Sequence, residues 1–323
     1  MRHYALALAL ATATACGSSN PAGPPCDGTC GNGAACVNAT CQCLEGFTGD
    51  GITCTAEQPS IDLANRSKAD VCSHWKAGHV VTATAQFTPV SSDPCDPGVM
   101  TGEAIVDAST RWNMYRWLVG LPAASVNTMN AADMQQCGLM LGYAFRHDPP
   151  PSTMCYTPGG ADAAGRSMIC SVGNATTCMD LYTLESYATD NRLSHRKIVV
   201  GTNRNNVNFG ATRNGSCALY ATGEAPATLP AFIAIPNPGP TPMEMTRSTW
   251  SIHQTTDPLP IADAKVFDET AGTDVVVKQN LKYAGINGFD LMTPIVTDHT
   301  YRVTLSDGST TVEYRTTPVA CAR

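Results

Sequence analysis

Two histidines stand beside residues that end or restart regular structure, and their imidazoles have the chemistry of metal ligands. His147 precedes Asp148 and three prolines, and His195 precedes the apolar run Ile198-Val199-Val200. Two imidazoles with open positions around them suit zinc or a similar divalent ion, with water completing the coordination shell. The alternative is that each ring only hydrogen-bonds backbone carbonyls at the end of a helix.

Two helices are predicted ahead of His147. Apolar residues are threaded through a run from Ile105 to Val119, and Gly120 ends this run. A second helix is expected to begin at the polar pair Asn127-Thr128, which is typical of an N-cap, and to continue toward His147. The prolines that follow His147 stop that helix.

Strands are predicted after His195. Residues 155–178 are rich in glycine and alanine and are expected to form a loop. Ile198 to Val200 is typical of a buried strand, and two alternating runs follow it, joined by Asn214-Gly215. An Asn-Gly pair between alternating runs is a strong hairpin signal. Helices followed by a hairpin sheet predict a layered α+β domain.

Composition and charge exclude one class of partner. The chain has 323 residues, 43% of them hydrophobic, and a formal net charge of −7 without any run of Lys and Arg. Sequence-independent nucleic-acid binding needs clustered Lys and Arg against phosphate, so we expect no nucleic-acid partner. The length indicates two or three domains.

The N-terminus is typical of an export signal. After Arg2 comes a short Ala/Leu-rich run, shorter than the roughly 20 residues that cross a bilayer but suited to a signal peptide. Ala13-Thr14-Ala15-Cys16 resembles a bacterial lipobox, which implies that residues 1–15 are removed and that Cys16 is lipidated. The alternative is ordinary cleavage after Ala15. Of 15 cysteines, 14 remain to pair once Cys16 is set aside. This even number favours lipidation and an exported location at the bacterial cell envelope or surface.

Residues 16–25 are small, polar and rich in Pro and Gly, which predicts a flexible tether.

Residues 26–54 follow with six cysteines and are too few to fold without cross-links. Their spacing resembles an EGF-like module. The resemblance implies no calcium site, because the acidic residues expected before the first cysteine are absent. It also implies the disulfides Cys26–Cys36, Cys30–Cys41 and Cys43–Cys54. The module is either a protein-contact element or a spacer.

The remaining chain divides by composition. Residues 55–102 are expected to be a linker or extension, residues 103–235 the layered domain, and residues 236–323 a small β-sandwich made of short alternating runs. Cys170 and Cys178 are predicted to form a local disulfide, and Cys321 to tie the last domain to the middle one. Beyond these expectations the sequence leaves the pairing open for Cys72, Cys95, Cys137, Cys155, Cys170, Cys178, Cys217 and Cys321.

Residues 103–225 resemble the CAP superfamily, the cysteine-rich secretory and pathogenesis-related-1-like proteins (SCP domain), in a bacterial branch. The resemblance implies an α–β–α sandwich whose central cleft holds two histidines and two acidic residues. It rests on four motifs in order: Asn113-Met114-Tyr115-Arg116 followed by Gly120-Leu121-Pro122; His147 with its prolines; Tyr182-Thr183-Leu184-Glu185; and Ser194-His195-Arg196.

Through this resemblance Glu185 becomes a candidate site residue beside His147 and His195. Its carboxylate could ligate a metal, orient a histidine, or act as a base toward bound water. The family's first acidic residue should fall near Ser167, which is not acidic, and Ser194 replaces a glycine. Because half of the acidic complement is missing, we expect no catalysis, and at most weak binding of zinc or another divalent metal.

The sequence therefore predicts an exported α+β multidomain protein whose function is extracellular binding or interaction. The expected partners are an extracellular protein, glycan or lipid, together with the membrane through the lipid anchor. The competing interpretation is a metal-dependent hydrolase using His147, His195 and Glu185. A third is a purely structural envelope protein, favoured if the cleft is filled by its own side chains.

Overall fold

A computed structural model describes residues 30–31, 33–37, 39–185, 193–247, 249–255, 264–283, 286–306 and 309–323, with backbone alone at residues 37, 254 and 278–283. The predicted signal segment, the lipidation site Cys16, the tether and Cys26 lie outside these residues. The described chain is of mixed α and β structure, with six α-helices and 19 strands arranged in six sheets.

Capping explains where most of the helices begin. Four of them start at a Ser, Thr or Asn whose side-chain oxygen accepts the backbone N–H three residues further on. Gly120, with a φ of 80°, follows the second helix, as predicted from the sequence. The helices are α1 Lys68–Gly78, α2 Gly102–Leu118, α3 Ala131–Met140, α4 Pro158–Arg166, α5 Ala175–Leu184 and α6 Ser194–Val199.

The strands fall into an N-terminal group of short pairs, a middle sheet and two C-terminal sheets. In the first half they are β1 Ala34–Val37, β2 Thr40–Cys43, β3 Phe47–Gly49, β4 Cys54–Ala56, β5 Phe87–Thr88, β6 Val99–Met100, β7 Ser125–Val126, β8 Ser167–Cys170, β9 Asn206–Ala211 and β10 Ser216–Ala221. In the second half they are β11 Phe232–Ile235, β12 Gly239–Pro242, β13 Trp250–Gln254, β14 Ala264–Asp268, β15 Thr273–Val275, β16 Val277–Tyr283, β17 Ile286–Leu291, β18 Tyr301–Ser306 and β19 Thr311–Val319.

The middle sheet, in the order β7-β9-β10-β8, carries helices on both faces. Met168 and Ala218 pack into one core with α2 and α5, whereas the alternate residues Ile169 and Cys217 pack into a second core with α3 and α4. This alternation is what a strand buried on both sides produces. The predicted hairpin at Asn214-Gly215 is present, as the antiparallel pair β9–β10.

The expected loop over residues 155–178 is wrong. The segment forms α4 and β8 and the start of α5. Thr157 caps α4 and Pro158 occupies its first turn, which are local start signals. Glycine is kept there because α4 lies against α3: a Cβ on Gly160 would come within 2.7 Å of Gln136 Cγ.

Two further boundaries differ from the sequence prediction. The strand expected at Ile198 to Val200 is wrong, because Ser194–Val199 forms α6. The helix α3 begins after Asn130 and ends at Met140, well before His147. Asn127 does not cap it, since its side-chain oxygen accepts the N–H of Met129 in a turn ahead of the helix.

The expected linker or extension at residues 55–102 contributes to the main core. Val71 and Trp75 of α1 are fully buried beside α2. Leu44 and Phe47, from the cysteine-rich segment, belong to the same buried cluster. The described residues of these two segments therefore pack against the helices that follow.

The C-terminal region consists of two sheets around a shared core, in the orders β11-β13-β17-β16 and β12-β19-β18-β14-β15. Trp250 and Phe289 come from the first sheet, and Val303 and Leu305 from the second. The first strand, β11, begins at Phe232, ahead of the predicted boundary at residue 236.

Disulfides cross-link residues within these parts and, in two cases, between them. All 13 cysteines of the described chain are disulfide-bonded, and the predicted partner of Cys36, Cys26, lies outside it. Such a framework is typical of an exported protein in an oxidising compartment. Two pairs predicted for residues 26–54 and the local Cys170–Cys178 bond are present. Cys321 bonds Cys72 of α1, in the segment expected to be a linker or extension, and not a cysteine of the middle domain as predicted. The pairs are Cys30–Cys41, Cys43–Cys54, Cys72–Cys321, Cys95–Cys155, Cys137–Cys217 and Cys170–Cys178.

Within the described residues, no helix is long and apolar enough to span a membrane.

Candidate functional site

Glu185 and His195 meet where α5 ends and α6 begins. Glu185 directly follows α5 with a left-handed backbone (φ 44°), and its side chain is only 4% exposed. His195 is the second residue of α6, and its side chain is 36% exposed. The turn after α5 therefore places a buried carboxylate beside a partly exposed imidazole.

The Glu185 carboxylate caps the start of α6. Oε1 accepts the backbone N–H of His195 at 3.2 Å, and Oε2 accepts the backbone N–H of Arg196 at 3.1 Å. The residue at the N-cap position, Leu193, makes no side-chain cap hydrogen bond. A carboxylate at this place satisfies free N–H groups and complements the positive end of the helix dipole. This contact explains why a β-branched run becomes a helix here.

The His195 ring is held from two sides. Its Nδ1 lies 3.2 Å from Glu185 Oε1, and its ring centroid lies 5.1 Å from that of Tyr182 in a tilted arrangement. Burial raises the pKa of Tyr182 well above its usual value, so its phenol stays protonated. Glu185, Tyr182 and His195 thus form a compact local unit.

The structure gives Arg196 a clear role, although the sequence analysis named this residue only as part of a motif. Its guanidinium is fully buried, and Nε donates to the Thr183 carbonyl at 2.6 Å and Nη2 to the Leu184 carbonyl at 2.7 Å. Nη1 donates to Ser251 Oγ of β13 at 2.9 Å. Burial lowers its pKa to about 10, which leaves it charged at neutral pH. Arg196 therefore ties the end of α5 to the C-terminal sheets.

The motif at residues 113–116 also serves the fold. Asn113 Oδ1 accepts the Ala124 N–H at 2.8 Å. The buried Arg116 donates from Nε to the Pro122 carbonyl at 2.8 Å and from Nη1 to the Val199 carbonyl at 3.0 Å. These bonds connect α2 to the loop after it and to the end of α6. The charged and amide side chains of this motif satisfy backbone groups that helices leave free.

His147 does not join Glu185 and His195. It is exposed, and its Nδ1 lies 2.9 Å from the Ala164 carbonyl of α4, on the α3–α4 side of the sheet. Although Glu185 and His195 touch, no three His, Cys, Asp or Glu side chains in the described chain are grouped closely enough to hold a metal ion. The expected three-residue site of His147, His195 and Glu185 is therefore not assembled. Weak binding of zinc or another divalent metal, with His147 and His195 as candidate ligands, stays a prediction.

Ser167 stands where the resemblance calls for an acidic residue. It is buried, and its hydroxyl lies 3.7 Å from Met134 Sδ. This position therefore offers no carboxylate to a metal or a substrate, which removes one of the four groups that the resemblance implies.

A large apolar cavity opens elsewhere, between α2, α3, the β5–β6 pair and the edge of the middle sheet. Its volume is about 300 Å³. Its walls include Ile105, Val126 and Phe209. The amide of Gln135 is already engaged, since Nε2 donates to the Pro97 carbonyl at 3.1 Å and Oε1 accepts the Ala211 N–H at 2.6 Å. Sequence reasoning missed this cavity because its walls come from four separate segments.

Comparison of the chain with models of known protein families and with curated proteins finds no match.

Proposed function

We propose that this chain is an exported, lipid-anchored binding protein with a CAP-like domain, an EGF-like module and no catalytic centre at Glu185. The observation that carries the proposal is the apolar cavity of about 300 Å³. This size falls at the lower end of the range for ligand pockets, roughly 300–1,000 Å³, which are mostly apolar with a few polar groups.

The cavity walls favour a lipid or another apolar molecule among the expected partner classes. Ile105, Val126 and Phe209 offer hydrocarbon surface, and the rim residue Val99 is 60% exposed. Transfer of apolar surface from water is favourable by about 25 cal/mol per Å². A glycan would need many free hydrogen-bonding groups, whereas the cavity is lined by three polar side chains, Thr128, Gln135 and Asn208, of which the last two already bond backbone groups.

Two observations support the CAP-like assignment. The middle sheet has helices on both faces, as an α–β–α sandwich requires. The motif residues make hydrogen bonds that join α2 to the loop after it, through Asn113, α2 to α6, through Arg116, and α6 to α5, through Arg196. The EGF-like assignment is supported by the pairs Cys30–Cys41 and Cys43–Cys54.

The metal-dependent hydrolase has less support. Both oxygens of Glu185 accept backbone N–H groups of α6, and His147 lies with α4 instead of with His195. A base that activates water must reach that water, and a carboxylate engaged in capping is poorly placed for the task.

The binding proposal is tested by displacement of a fluorescent apolar probe. The purified protein is titrated with 1-aminoanthracene, and 1-dodecanol is then added as competitor. We expect saturable binding and displacement by dodecanol. Substitution Ala132→Phe, which adds bulk to a cavity-lining position of α3, should weaken binding at least about tenfold. The control is Ala77→Phe on the exposed surface of α1. Equal binding by both variants and the parent protein would refute the cavity as the site.

The lipid anchor is tested separately by feeding cells an alkyne-tagged fatty acid. We expect the tag on the parent protein and its absence from a Cys16→Ser variant. Equal labelling of the two proteins would show that the anchor prediction is wrong.

A further inference from the structure

A second cavity lies at the seam between the cysteine-rich segment and the helices α1 and α2. Its volume is about 90 Å³. One ordered water requires about 10–15 Å³ on this scale, so the cavity has room for a group the size of a side chain. We call it the seam pocket, and the residues that matter for its chemistry are Glu45, Glu57, His74, Met114, Trp117 and Leu121.

Glu45 and Glu57 stand at one rim of the seam pocket, and hydrogen bonds hold the backbone of each residue in place. The N–H of Glu57 donates to the Gly46 carbonyl at 2.8 Å, which closes the strands β3 and β4 beneath both residues. The Glu45 carbonyl accepts from Asn113 Nδ2 of α2 at 3.3 Å. The backbone that carries the two glutamates is therefore bonded both within the cysteine-rich segment and to α2.

Among the described residues, no ion pair neutralises this rim, since neither Glu45 nor Glu57 takes part in one. Burial and, to a smaller extent, repulsion by Glu57 raise the pKa of Glu45. Two like charges at one site disfavour the doubly ionised state, and a cation between them would relieve the repulsion.

The floor of the seam pocket is apolar. Met114 and Leu121 are buried, at 3% and 1% exposure, and Trp117 is half-buried. These residues suit a short hydrocarbon stem, whereas the rim suits a positive head.

The basic residues next to the floor do not compete for the rim. Arg66 lies over the Trp117 ring at 3.8 Å and donates to the Trp117 and Ser60 carbonyls. Burial first and then Arg66 lower the pKa of His74, which keeps this histidine neutral at pH 7. A cationic ligand would therefore face the rim carboxylates without a second positive charge from His74.

We propose that the seam pocket binds an organic cation, namely a primary ammonium or guanidinium group on a short apolar stem. The carboxylates of Glu45 and Glu57 receive the head, and Met114 and Leu121 receive the stem. This inference rests on the proposed binding function and adds to it a ligand class at a different cavity. The cation comes either from a free alkylamine or from a lysine or arginine side chain of a partner protein.

The test compares two probes of equal shape, n-pentylammonium and 1-pentanol. The chain has four tryptophans, and Trp75, Trp112 and Trp250 are at most 1% exposed, so the indole N–H signal of Trp117 is the natural reporter. A Trp117→Phe spectrum assigns that signal by its loss. We expect n-pentylammonium to shift it saturably and to bind at least about tenfold more tightly than 1-pentanol. Equal affinities would overturn the proposal.

Isosteric variants then locate the charge. Each of Glu45→Gln and Glu57→Gln should weaken n-pentylammonium binding about tenfold, since each replaces a carboxylate acceptor of the ammonium group with a neutral amide. Glu224→Gln, in an exposed loop away from the pocket, should leave binding unchanged. Unchanged binding in both pocket variants would overturn the proposal. Should either variant fold poorly, the two-probe comparison on the parent protein still decides it.

A third probe, Nα-acetyl-lysinamide, separates the two sources of the cation. Binding as tight as that of n-pentylammonium indicates a lysine side chain of a partner, and markedly weaker binding indicates a free amine. Both outcomes support a cation site. Dodecanol displacement is measured on the same samples. If the protein binds dodecanol but not n-pentylammonium, the seam pocket proposal alone is overturned. If it binds n-pentylammonium but not dodecanol, the apolar site alone is overturned.

Discussion

Replacement of Glu185 tests whether this carboxylate serves the fold or a reaction. Its two oxygens accept the N–H groups of His195 and Arg196 at 3.2 and 3.1 Å. Each hydrogen bond to a charged group contributes about 1.5 kcal/mol at the lower end of the measured range. Loss of both bonds in Glu185→Ala should therefore lower the free energy of unfolding by about 3 kcal/mol. Glu185→Gln keeps one acceptor oxygen and should lose about 1.5 kcal/mol.

The backbone of Glu185 adds a second, independent expectation. Its φ of 44° is left-handed, a conformation that costs an L-residue roughly 1–2 kcal/mol and costs glycine little. Glu185→Gly loses both bonds but also this strain, so it should be more stable than Glu185→Ala by about 1 kcal/mol. The expected order of stability is parent, Gln, Gly, Ala.

Urea unfolding of the oxidised protein, followed by far-UV circular dichroism, measures this series. Glu224→Ala, in an exposed loop, is the matched control and should stay within about 0.5 kcal/mol of the parent. A catalytic carboxylate would behave in the opposite way, because its removal commonly leaves stability unchanged or raises it. If Glu185→Ala is as stable as the parent protein, the capping role is wrong.

Three further predictions concern packing, pH and cross-links. Gly210→Ala should destabilise the protein by about 3 kcal/mol in the same urea assay, because its Cβ would lie 2.1 Å from the Met134 carbonyl oxygen. Gly165→Ala should be neutral or stabilising, because this position is helical and the new Cβ would lie 3.4 Å from the His147 carbonyl oxygen. An equal loss of stability in both variants would contradict the packing argument. Burial lowers the pKa of His253 to about 3 from its ordinary 6.5. Between these pH values His253 is protonated in the unfolded chain and neutral in the folded chain. The free energy of unfolding therefore falls by up to about 1.4 kcal/mol for each unit by which the pH is lowered. His253→Phe should flatten the urea midpoint between pH 6.5 and 4, and an unchanged slope would refute the assignment. Removal of Cys95–Cys155, with a sequence separation of 60, should cost about 4 kcal/mol, against about 2.5 kcal/mol for Cys170–Cys178, with a separation of 8. The reverse order in paired Cys→Ser variants would argue against chain entropy as the cause.

The elements that sequence predicts well are those with local signals. Gly120 ends α2 because its backbone adopts a conformation that other residues avoid. Asn214-Gly215 closes a hairpin because both flanking runs alternate on the same two faces. The Cys170–Cys178 bond follows from the short separation of the two residues.

The elements that sequence predicts poorly depend on distant partners. Ile198-Val199-Val200 has strand propensity, yet the Glu185 carboxylate, ten positions ahead of His195, starts a helix through this run. The glycines of α4 suggest a loop in isolation, but they allow close approach to α3. Tertiary context decides both segments, and propensity is the weaker term.

The candidate site shows the same limit. The order of motifs places Glu185 and His195 near each other, and the structure brings them into contact. Order alone does not show that the His147 ring turns to the Ala164 carbonyl, because that depends on where α4 lies. No local sequence pattern predicts the apolar cavity or the seam pocket, because the walls of each come from segments that are far apart in the chain.

The most direct test of the binding account is a set of nuclear Overhauser effects between a bound dodecyl chain and the methyl groups of the protein. With methyl-labelled protein and protonated 1-dodecanol, we predict contacts from the chain methylenes to Ile105 and Val126, which line the apolar cavity. Contacts to methyl groups beside Glu185 and His195, such as those of Leu193, would place the ligand at the α5–α6 junction and contradict the account.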